Sequence, residues 1–214
     1  MEFKLKNTKQ RKEMIEIYSK LFNLIDSNSK DKKLINNLIQ MFEEFGIKRT
    51  KIGYNKKSTV CANFVIEVIN ELTGRNIPIT RSFETYGEYI KLLSKKQKEE
   101  LTKIENKLNL NEKSKKEIYG IHILKEILDF YPFREVEKII PNSIIVYFGD
   151  TYGKDLPEHM GFLLDNGQVI SKFGVIPEIF LHPIEGIPLG WGERYKIYEF
   201  DFKDFKKTLS KFFN

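Results

Sequence analysis

After Pro141 the periodicity of the chain changes, and that change limits the architecture more than any other feature. Before it, apolar residues recur at the three- and four-residue spacing of a helix face over 9–25 and 31–45. VCANFVIEVINELTG continues the pattern, with Ser58 or Thr59 placed to cap its start and Gly74 to stop it. Residues 82–94 and 114–131 carry the same spacing, the second with Ile118, Ile121, Leu124, Ile127 and Leu128 on one stripe and His122 off it, at the surface. Beyond Pro141 the runs SIIVYFG, HMGFLLD, QVISKFG and YKIYEFDF are short, β-branched and aromatic, and Gly, Pro, Asn and Asp separate them. Helices followed by an antiparallel sheet packed against them make an α+β fold.

The 214 residues are 41% hydrophobic, enough to bury a core, and no run approaches the roughly 20 apolar residues of a membrane span. The N-terminal MEFKLKNTKQRKEMIEIY is charged and lacks the apolar centre of a secretion signal, so the expected location is cytoplasmic. The formal charge of +6 is carried by lysine, with only six arginines. A phosphate-reading surface favours the arginine fork, so the charge points only faintly to nucleic acid or another anionic polymer. The stretch 95–116 reads as a solvated, lysine-rich helical pair.

Cys61 is the only cysteine, so no internal disulfide forms. With Ser58 as cap it occupies the first turn of its helix. There, free backbone N–H groups and the helix dipole are expected to lower the thiol pKa and prepare a nucleophile. Free cysteine is equally at home in a core, and Cys61 shares a face with Phe64, Val65, Val68 and Leu72. The second notable stretch is PEHMGFLLDNGQVISKFG, a hairpin whose first strand opens on His159, one of three histidines. An Asn166-Gly167 turn would put Lys172 on the His159 face. A three-residue loop with Gly167 left-handed would instead set Gly161 opposite Ser171, and His159 beside Ser171.

STVCANFVIEVI, then PNSIIVYFG, then HMGFLLDNGQVIS together resemble the NlpC-type, papain-like cysteine peptidases. In that family a cysteine opens a helix, a β-branched and aromatic strand follows a tight turn, and a His-x-Gly strand leads into an Asn-Gly-like turn. The resemblance covers about residues 52–172. It implies a papain-like fold in which 1–50 form a helical segment packed on a hydrolase domain of 51–214, with a helical insertion at about 89–131. It implies Cys61 as nucleophile, His159 as general base and Ser171, at the position twelve after the histidine, as the third member. Glu178 and His182 are further acceptors offered to His159. The backbone of Cys61 and the side chain of Asn55, with Tyr54 beside it, would serve the oxyanion. The implied substrate is a peptide or other amide, with peptidoglycan stem peptides as one class.

The region KFGVIPEIFLHPIEGIPLGWGERY is too apolar for a free linker, and reads as a loop that could border a substrate groove with Trp191 and His182 near its rim. One cysteine and three scattered histidines give no metal-ligand spacing, and no Gly-rich phosphate loop is present, so neither metal nor cofactor is expected. The alternative to a cysteine hydrolase cleaving an amide through a thioester is a non-catalytic basic binding module on the same fold.

Overall fold

A computed structural model describes residues 2–27, 30–50, 61–74, 132–150, 156–174, 176 and 178–200, with short helical pieces at 95, 98–99, 102–103, 124–125 and 128–129. Tyr54, Asn55, Ser58, Thr59, His122, the helix expected at 82–94 and most of the expected insertion at 89–131 lie outside the described residues.

The fold is α+β. Among the described residues, three helices, α1 (Lys9–Asp26), α2 (Lys32–Glu43) and α3 (Cys61–Thr73), accompany eight strands: β1 (Phe3–Lys4), β2 (Lys48–Arg49), β3 (Phe133–Val136), β4 (Ser143–Gly149), β5 (Leu156–Leu163), β6 (Val169–Lys172), β7 (Ile179–His182) and β8 (Arg194–Phe200). Local chemistry sets the helix ends. Thr8 accepts the Arg11 N–H at 3.2 Å and Asp31 accepts the Leu34 N–H at 2.9 Å, each satisfying an orphan donor of a first turn. Gly74, at φ 62°, follows α3 as its stop.

The strands form one antiparallel sheet in the order β1-β8-β4-β5-β6-β7-β2, with β3 on the same side of β8 as β1. β4 and β5 are the apolar centre: all of Ile144, Ile145, Val146, Tyr147, Met160 and Leu163 are buried. Such continuous runs identify strands covered on both faces. One cluster joins Met14, Leu21 and Phe42 of α1 and α2 to Phe173, Ile176 and Phe180. A neighbouring one joins Ile145, Tyr147, Leu163, Val169 and Ile197 to Ile187. α3 runs against β5 and β6 and belongs to neither. Arg11 ties the long connection between β7 and β8 to α1. Its buried guanidinium donates to the carbonyls of Ile187 (3.0 Å), Lys6 (3.2 Å), Pro188 (3.4 Å) and Gly192, and its own carbonyl accepts from the Leu189 N–H.

Of the two turns open to the hairpin sequence, the chain uses the longer. Leu163 pairs with Val169, the Leu164 N–H donates to the Gln168 carbonyl at 2.8 Å, and Asp165-Asn166-Gly167 form the loop. Gly167 takes φ 76°, a conformation that costs glycine nothing. The segment after Lys172, expected as a loop, contains β7. Its Pro and Gly density hides a strand only four residues long.

Candidate functional site

The hairpin register decides which side chain meets His159. Successive residues of a strand point to opposite faces, so Ser171 and Lys172 cannot both approach it. Ser171 does: its Oγ lies 3.1 Å from His159 Nε2. Gly161 stands between them in the pattern, and a Cβ there would run into a Val169 methyl and come within 3.2 Å of Ser171 Cβ. A glycine at this position is what lets the two side chains close over the strand pair.

The hydrogen-bonded row continues across the sheet. Ser171 Oγ lies 2.8 Å from Nε2 of His182 on β7, and His182 Nδ1 lies 2.8 Å from the Pro183 carbonyl. His182 is therefore not at a groove rim as the sequence suggests. It is fully buried beneath the Phe173 ring, 5.4 Å between centroids, because β7 carries it into the sheet interior. Trp191 is half-buried and packs on His159 at 4.9 Å, on Phe173 at 5.0 Å and edge-on to Tyr18 at 4.5 Å. Tyr147, directly across from His159 on β4, stacks on the imidazole at 5.7 Å and donates its hydroxyl to the Ile184 carbonyl at 2.9 Å. His159 thus sits in an aromatic box. Burial, and secondarily the neighbouring His182, holds it well below the ordinary imidazole pKa of 6.5, so it is neutral at physiological pH. Burial likewise brings His182 down to about 4, against a small opposing effect of the Pro183 carbonyl.

Cys61 opens α3 and reaches β5 at the residue that follows His159: the backbone N–H of Met160 faces the sulfur, together with the N–H groups of Ala62 and of Cys61 itself. These donors suit a thiolate or an oxyanion. The expected lowering of the thiol pKa is nevertheless corrected. Burial dominates and pushes the Cys61 thiol up to about 11, with the three N–H groups and the charge of Lys172 opposing it only in part. Only 7% of the residue is exposed, so a thiolate would lose most of its water. The resting pair is a neutral thiol and a neutral imidazole, and among the described residues no hydrogen bond joins them.

No family model, curated protein or solved structure matches the chain.

Lys172 is the residue that the sequence least advertises. Within the strand-like run QVISKFG, Lys172 is fully buried, donates to the Gly174 carbonyl and lies within electrostatic reach of Cys61 and Glu178. Burial lowers its pKa to about 8. Glu178, offered by the sequence as a partner for His159, is instead an electrostatic partner of Lys172. Cys61 therefore has one basic side chain within electrostatic reach, Lys172 of β6, and meets β5 at the backbone of Met160. No helix of the described residues is long and apolar enough to cross a membrane, and no group of three potential ligands among them could hold a metal ion.

Proposed function

We propose that the protein is a cysteine hydrolase of the NlpC-type, papain-like kind that cleaves an amide bond through a thioester. The observation that carries the reading is the position of the Cys61 sulfur at the Met160 N–H. It brings the start of a helix to the residue next to a neutral, buried histidine. In the proposed reaction, the free ring nitrogen of His159 takes the thiol proton as sulfur bonds to the substrate carbonyl carbon. The carbonyl electron pair moves to oxygen, where the Cys61 N–H, with Asn55 and Tyr54 from the preceding segment, would receive it. Collapse of this intermediate breaks the C–N bond, and the imidazolium returns the proton to the departing amine. Water, deprotonated by His159, then cleaves the thioester and restores the thiol.

A thiol pushed up to about 11 favours proton transfer concerted with attack over a preformed ion pair. Trp191 and Tyr147 exclude water around the imidazole and hold its plane. The substrate class is a peptide or related amide, peptidoglycan stem peptides included.

The test is to trap the thioester. With a panel of activated amides and esters at about neutral pH, intact mass is expected to show an acyl adduct on Cys61 that hydroxylamine removes. Turnover in Cys61→Ala should fall by about 1,000-fold or more. Turnover that survives Cys61→Ala at the wild-type rate would exclude the mechanism.

A further inference from the structure

We propose that His182 is a positioning residue that sets the tautomer of His159 through the Ser171 hydroxyl. Its value to catalysis rests on the cysteine-hydrolase reading, but the hydrogen-bond geometry does not.

The row has a direction, and the backbone fixes it. The Pro183 carbonyl can only accept, so the 2.8 Å contact requires a proton on His182 Nδ1. A neutral His182 then presents a lone pair at Nε2, and the Ser171 hydroxyl 2.8 Å away must donate to it. That leaves the Ser171 oxygen as an acceptor toward His159 Nε2 at 3.1 Å, so Nε2 of His159 carries the proton. The basic lone pair of His159 is consequently at Nδ1, for which no hydrogen-bond partner exists among the described residues. The reverse order would set the unprotonated His182 Nδ1 against a carbonyl oxygen at hydrogen-bond distance, two acceptors face to face.

Ser171 alone could not do this. A hydroxyl rotates, donating or accepting with equal ease, and so holds an imidazole in either tautomer. His182 removes that freedom by claiming the hydroxyl proton. The two histidines are therefore opposite tautomers, His159 protonated at Nε2 and His182 at Nδ1. Their full burial, with His182 at 0% exposure, keeps water from replacing either partner.

Long-range 1H–15N correlation spectra of uniformly labelled protein read each tautomer directly, and only three histidines contribute. The expected spectrum has His159 with a protonated Nε2 and His182 with a protonated Nδ1. His182→Gln keeps an acceptor for Ser171 and should retain the His159 tautomer. His182→Phe removes the acceptor and should give a mixture, with a fall of about tenfold or more in the rate at which iodoacetamide alkylates Cys61. His159 protonated at Nδ1 in the wild type, or its tautomer unchanged in folded His182→Phe, overturns the inference. If His182→Phe does not fold, the wild-type spectrum decides by itself. The expected tautomers alongside a Cys61→Ala variant that still turns over would uphold the relay and remove only the hydrolase reading.

Discussion

Lowering the pH from about 7.5 to 5 should destabilise the protein by about 2 kcal/mol through His182 alone, before most carboxylates begin to protonate. The fold holds His182 at about 4 against an ordinary 6.5. A lowered imidazole pKa means that the native state favours the neutral ring. This stabilisation is complete above pH 6.5 and is lost progressively as pH falls toward 4, reaching about 3 kcal/mol in all. His159 is shifted in the same direction and adds to the loss. Urea unfolding at several pH values measures the effect. His182→Gln, which has nothing to titrate, should flatten part of the slope. A stability that is level between pH 7.5 and 5 would show that neither imidazole is buried neutral.

The second large effect is expected at Arg11, far from His159 in sequence and unrelated to its chemistry. Arg11→Met preserves most of the side-chain volume but removes the guanidinium donors to the buried carbonyls of Ile187, Pro188 and Gly192. Leaving such acceptors dry costs roughly 1–3 kcal/mol each, offset by no longer burying a cation, for a net loss of about 3 kcal/mol. For a chain of this size that lowers Tm by about 10 °C. The same clasp holds the connection that carries Trp191 against His159. The only tryptophan should therefore shift its emission to the red in Arg11→Met before global unfolding. An unchanged Tm and spectrum would mean that this connection is held by packing alone.

Arg11 also marks where sequence reasoning runs out. In KQRKEMIEIY it is one charge among several on an amphipathic helix, and nothing local distinguishes it from Lys9 or Lys12. Three of its four carbonyl partners lie 176 to 181 positions away, which no periodicity encodes. The strand 143–149 is legible because SIIVYFG is a β-branched and aromatic run that follows a turn, and it is buried at every position but Phe148. The His159–Ser171 contact is legible in kind, since two registers follow from LLDNGQV. Choosing between them requires the cross-strand pairing of Leu163 with Val169. His182 and Lys172 are harder. β7 lies within a Pro- and Gly-rich stretch, and a lysine at a strand end is ordinarily solvated. The thiol is the instructive error: helix-terminus donors face Cys61 as anticipated, yet burial outweighs them, a balance that depends on everything packed above the sulfur.

In the proposed mechanism His159, and not Lys172, serves the Cys61 thiol. Because Cys61 is the only cysteine, its alkylation by iodoacetamide in the folded protein can be followed by intact mass without knowing the substrate. The sulfur–carbon bond forms, iodide leaves, and the thiol proton must pass to a base. At about pH 7.5, His159→Gln should slow the reaction by about tenfold or more, while Lys172→Met should change it by no more than about twofold. Equal rates in the wild type and folded His159→Gln, or a loss confined to Lys172→Met, would contradict the account.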